Sequence, residues 1–151
     1  MTELSALLPE LAAWNDGCGI SPLDRLKTFV RSDHAVTYAQ LVWPAFVEHE
    51  EYVFRRGFSV QTLREWERTP GLERWQIEAM LNTVHLDDLL FVNEEWSLLV
   101  EQRAVYLGKM LSETYAAKLA HDFPYRKFIV EACDGSRSEN DQISLSFCQQ
   151  P

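Results

Sequence analysis

AFVEHEEYVFRRGF, residues 45–58, is the stretch on which the fold class turns. β-Branched and aromatic residues flank a polar middle at His49 and Glu50, the pattern of two short strands joined by a tight turn. Side chains alternate along such strands, so Glu48 and Glu50 point one way and His49 and Glu51 the other. Gly57 closes the segment. A hairpin set in a chain that otherwise reads as helical makes the protein α+β.

Upstream of the hairpin the periodicity is helical. Leu4, Leu7, Leu8, Leu11 and Ala12 recur at helical spacing, with Pro9 as a kink or boundary. Ser21 reads as the N-cap of the next helix, with Pro22 at its first position and Asp24 at its positive end. Leu23, Leu26 and Val30 mark the side expected to be buried. A further helix restarts at Ser32 or Asp33, passes through His34, Tyr38 and Val42, and stops ahead of Pro44.

Downstream, Ser59 caps a helix carrying Val60, Leu63 and Trp66 that ends at Thr69–Pro70. Thr69 is then expected to cap another, with Pro70 at its start and Leu72, Trp75, Ala79 and Val84 along its face. LDDLLFV (86–92) reads as a loop or strand. The longest periodic run, 94–123, puts Val100, Ala104, Leu107, Leu111 and Thr114 on one stripe, with Trp96, Tyr115 and Leu119 beside it. Gly108 costs about 1 kcal/mol against alanine in mid-helix, which predicts that another element crosses closely there. RKFIVEAC (126–133) and QISLSFCQ (142–149) alternate as strands about a polar loop, DGSRSEND. The expectation is an α+β fold: a mainly helical single domain over residues 1–151, with two β-hairpins forming a small antiparallel sheet.

Composition narrows the function. The 151 residues are 46 % apolar and 25 % charged, ordinary for a folded domain. The net charge of −9 is spread evenly, and the only dense basic pairs are Arg55–Arg56 and Arg126–Lys127. Such a field repels phosphate backbones and argues against nucleic acid. SVQTLREWERTPGLERWQIEAMLN (59–82) has the outline of a helix-turn-helix, yet its second half carries Arg74 against Glu73 and Glu78, the wrong balance for a DNA reader. No apolar run reaches the length of a membrane span. Cys18, Cys133 and Cys148 are odd in number and lack zinc spacing; with no secretory signal at the start, they point to free thiols in the cytoplasm.

WNDGCGIS (14–21) sets Cys18 between two glycines. A thiol nucleophile needs a nearby base, and His34 or His85 would have to supply it. The simpler reading is a hinge: Asn15, Asp16 and Gly17 suit a left-handed helix stop, and Ser21–Pro22 begins the next helix. VEHEEY groups carboxylates around His49 but lacks the H-E-x-x-H spacing, so no metal is expected. His85, in HLDDLL, reads as a histidine drawn to a helix C-terminus. Phosphate-binding and dinucleotide-binding glycine patterns are missing, and no cofactor is expected.

Three function classes follow. The first is a non-catalytic, acidic interaction protein that binds a basic protein partner, by analogy of charge and size with the immunity-type proteins that neutralise basic toxins. Its expected contacts are Glu48, Glu50 and Glu51 on the hairpin and Asp87 and Asp88 beyond it. The second is a small cytoplasmic thiol enzyme using Cys18. The third is a homo-oligomer subunit without a separate ligand, with the long helix from Glu95 as its self-complementary face.

Overall fold

Two short antiparallel sheets and seven α-helices make up the described part of the chain, residues 4–90, 95, 97–135 and 142–151 of the computed structural model. The α+β, mainly helical architecture expected from the sequence is the one found. The chain divides into two compact units, residues 1–41 and 42–151.

The first unit contains α1 (Leu4–Leu7), a turn of 3-10 helix (Pro9–Leu11), α2 (Pro22–Phe29) and nearly all of α3 (Ser32–Val42). Leu7 and Leu11 are buried. Between them and α2 the backbone reverses through positive φ at Asn15, Asp16, Gly17 and Gly19. The amides of Gly17 and Gly19 both donate to the Trp14 carbonyl, at 3.1 and 2.8 Å, and Ile20 N returns to Leu11 O at 3.1 Å. Ser21 then caps α2, its hydroxyl oxygen accepting from Asp24 N at 3.1 Å. Stop, reversal and cap lie where the sequence set them.

The expected burial of α2 does not occur. Leu23 and Leu26 are exposed, Val30 is half-buried, and neither α2 nor α3 buries a residue. Within the unit, α2 is held by an edge-to-face contact of Phe29 on Trp14, with ring centroids 5.4 Å apart, and by Arg25 paired with Glu10 at 3.3 Å. A unit this small has too little chain to enclose every apolar face.

The second unit opens with the hairpin β1 (Phe46–His49) and β2 (Tyr52–Arg55), in register Phe46↔Arg55 through His49↔Tyr52. Glu50 takes the positive φ (55°) that the two-residue turn needs. Tyr52 and Phe54 stack and pack with Leu63 of α4 (Val60–Glu67) and Ile77 of α5 (Arg74–Leu81). On the opposite face, Phe46 meets Tyr115 and Phe147, with ring centroids 5.6 and 4.9 Å away. Tyr115 belongs to α7 (Leu98–Asp122), and Phe147 to β5 (Ser144–Gln149).

Three local expectations are corrected. The helix expected from Pro70 begins at Arg74, because Gly71 (φ 87°) prolongs the turn and Gln76 Oε1 accepts from Glu73 N at 2.8 Å to start the helix there. LDDLL forms α6 (Leu86–Leu90) instead of a loop or strand; Phe91 and Val92 lie outside the described residues. His85 is not at a helix C-terminus but in β3 (Val84–His85), directly before α6. Ser97 caps α7, accepting from Val100 N at 3.3 Å, and the buried stripe of α7 is Val100, Ala104, Gly108, Leu111, Tyr115 and Leu119. The stripe thus takes in Tyr115 and Leu119, while Thr114 is only half-buried; Trp96 lies outside the described residues. A Cβ added to Gly108 would stand 3.2 Å from Leu86 Cδ1 and 3.6 Å from Ala132 Cβ, which is the close crossing its sequence position implied.

The two hairpins do not share one sheet. β1–β2 is separate, and β4 (Phe128–Cys133) pairs with β5 in a second sheet of order β3-β5-β4. What lies between β2 and β5 is α5. Its Glu78, and Asn82 capping its C-terminus, are fully buried and bond to main-chain groups of both strands. Glu78 Oε1 accepts from Val53 N at 2.6 Å, and Oε2 from Gln149 N at 2.7 Å. Asn82 Oδ1 accepts from Arg55 N at 3.0 Å, and its Nδ2 donates to Val53 O and Phe147 O at 2.9 and 3.3 Å.

Candidate functional site

Cys18 stands exposed on the reversal before α2, on the wall of a groove of about 610 Å³ within the first unit. Leu4, Leu8, Leu11, Ile20 and Pro22 make the groove mostly apolar. Among the described residues its lining includes no histidine. His34 is exposed on the first turn of α3, and His85 is exposed on β3 of the second unit. The groove therefore supplies a thiol and an apolar wall but, among the described residues, no imidazole from its own lining, and its carboxylate Asp24 is taken up by Ser21 and Lys27.

The hairpin carboxylates are occupied. Glu48 pairs with Arg126, Glu50 with Arg64, and Glu51 with Arg74 at 2.7 Å. The bond from Arg64 holds the Glu50 carboxyl below the usual range, and Arg64 is shared with Glu67 at 2.7 Å. His49 packs on Phe58 with ring centroids 5.2 Å apart, and its Nε2 lies 3.9 Å from Glu50 Oε1. An arginine on each carboxylate leaves less charge for an outside cation, and such pairs contribute little net stability where they face water. Asp87 and Asp88 on α6 differ: among the described residues neither makes an ion pair, and Leu89 beside them is half exposed.

Among the described residues no three His, Cys, Asp or Glu side chains gather as a metal site would require, and no helix is long and apolar enough to cross a membrane. The most distinctive surface includes Leu23 and Leu26, which the sequence assigned to the buried side of α2. Along α2 and α3, Leu23 is 69 % and Val36 65 % exposed, and Leu26, Phe29 and Tyr38 are each more than half exposed. Amphipathic spacing reveals that a face is apolar; it carries no mark that separates an intramolecular neighbour from an external one. The charges flanking α2 are locally neutralised, Arg25 by Glu10 and Lys27 by Asp24 at 3.0 Å.

No family model matches this chain, and neither a curated protein nor a solved structure matches it.

Proposed function

We propose that the protein is a non-catalytic interaction protein that binds a basic protein partner, with the apolar face of α2 and α3 as its contact surface. The observation that carries this reading is that two successive helices bury none of their residues while presenting Leu23, Leu26, Phe29, Val36 and Tyr38. Apolar patches of this kind mark interaction surfaces in soluble proteins. The net charge of −9 supplies long-range attraction for a basic partner, and the uncharged face supplies the contact energy. Asp87 and Asp88 of the second unit, without ion pairs among the described residues, offer carboxylates to a partner's cations. Neutralisation of a basic toxin, the immunity-type role, is the most specific form of this reading, and it rests on charge and size.

Capture of partners at low and high salt tests it, with wild type compared against a Leu23→Gln/Val36→Gln variant. Both side chains are largely exposed, so the fold should survive. The expected result is a basic protein retained at low salt by wild type, released as salt rises, and lost from the variant. Retention only of acidic proteins, or equal retention by the variant, overturns the reading.

A further inference from the structure

β4 is the outer strand of the β3-β5-β4 sheet, and among the described residues no strand pairs with its outer edge. Natural proteins blunt such edges with lysine, proline, bulges or very short strands, because unpaired main-chain groups recruit another strand. Phe128–Cys133 is six residues long, has no proline, carries one charge at Glu131, and keeps an unbroken register with β5. The outward groups follow from the ladder. Gln150 N donates to Lys127 O, so in an antiparallel pair the inward-bonded residues of β4 are Ile129, Glu131 and Cys133. The N–H and C=O groups of Phe128, Val130 and Ala132 point away from β5, and among the described residues none of them has a partner. Every residue of the strand is at least partly exposed.

The geometry points to a homodimer in which β4 pairs antiparallel with β4 of a second copy about a two-fold axis at Val130. In that register Val130 faces Val130 of the partner, and Phe128 faces the partner's Ala132, so every outward donor meets an outward acceptor. Side chains and charges agree with it. Glu131 lies opposite the partner's Ile129, which keeps the two like carboxylates from facing each other. The result is one continuous six-stranded sheet across the dimer.

Amide hydrogen exchange on the full chain, followed with concentration and alongside sedimentation mass, tests the dimer. The amides of Ile129, Glu131 and Cys133 should be protected at every concentration. Those of Phe128, Val130 and Ala132 should become protected only as the mass doubles, and exchange freely on dilution. Val130→Pro removes an outward N–H without breaking a bond to β5, and proline is tolerated on edge strands. It should give a folded monomer by circular dichroism and mass. A single-chain mass at all concentrations with free exchange at 128, 130 and 132 overturns the proposal. So does an oligomer in which those three amides stay unprotected, since it would be built on another surface. The wild-type exchange pattern decides the matter even if the proline variant fails to fold.

Discussion

Glu78 on α5 and Asn82 at its C-cap, one turn apart, bridge the open edge of β2 and that of the Phe147–Gln149 end of β5, beyond its pairing with β3. Both edges expose N–H and C=O groups that must find partners once buried. A carboxylate accepts from two amides, one on each strand, and a carboxamide both donates and accepts across the same gap. Gln149 adds its own side-chain amide to Glu78 Oε1 at 2.9 Å. One helix thereby joins two sheets without extending either.

Glu78→Ala is therefore expected to cost about 3 kcal/mol or more, because it leaves buried main-chain donors on both strands unpaired. Asn82→Asp should be at least as harmful as Asn82→Ala, since it turns an oxygen towards the carbonyls of Val53 and Phe147. Urea unfolding at neutral pH reads both. A midpoint shift equivalent to less than about 0.5 kcal/mol for either alanine variant would show that the bridge is dispensable.

Two buried tyrosines should respond in opposite directions to loss of the hydroxyl. Tyr115 is completely buried, and its hydroxyl has no partner among the described residues. Tyr52 donates to Glu67 Oε1 at 3.2 Å. Removing an unsatisfied polar group relieves a desolvation cost, whereas removing a bonded one forfeits the bond. Tyr115→Phe should be neutral or stabilising by up to about 1 kcal/mol, and Tyr52→Phe destabilising by about 0.5–1.5 kcal/mol. Calorimetric melting distinguishes them, and a marked loss in Tyr115→Phe would mean that its hydroxyl is bonded after all.

The sequence revealed features whose cause is local. Ser21 and Ser59 announced two helix starts, Pro44 one stop, and Gly108 a crossing, because caps, steric exclusion and a missing Cβ act within a few residues. The alternation in residues 45–58 gave the hairpin for the same reason. Partnerships across the chain were hidden. Glu78 looked like one of many surface acids, and its only signal was a position one turn from Asn82 and next to Ile77, on a side that had to be buried. The arginines that hold Glu48, Glu50 and Glu51 come from three other segments, which no spacing rule connects to the hairpin. Leu23 and Leu26 show the converse limit, since apolar spacing is the same whether a face is covered or open.

Alkylation should rank the three thiols by exposure and by titration. Cys18 is exposed, Cys133 half-buried and Cys148 buried. Burial first, and then the carboxylates of Glu78 and Glu131, push the Cys148 thiol up from its ordinary value. Iodoacetamide in the native protein should modify Cys18 fastest and Cys148 slowest, with all three converging in denaturant. The raised thiol also has a linkage consequence. The unfolded chain loses this proton at lower pH than the folded one, so above about pH 8.5 stability should fall as pH rises. Cys148→Ala should flatten that alkaline decline. Modification of native Cys148 as fast as Cys18 would contradict its burial.

At acid pH the sign reverses, and Asp122 at the end of α7 provides the test. Burial pulls its carboxyl up, but bonds from Lys118 and His121 outweigh that and hold it below the ordinary carboxylate value. The unfolded chain therefore takes up this proton at higher pH than the folded one. The pair's contribution is present above the unfolded value near pH 4 and is lost as pH falls through the lower folded value. Asp24, Asp33 and Glu50 are lowered in the same direction by Ser21, Arg31 and Arg64, but all three face water, so each adds little to the acid decline. Asp122→Asn removes one titrating group from that set. Its melting temperature should lie slightly below wild type at neutral pH, and the two curves should converge as the pH approaches 2. Parallel curves over the whole acid range would show that the Lys118–Asp122 pair does not persist in solution.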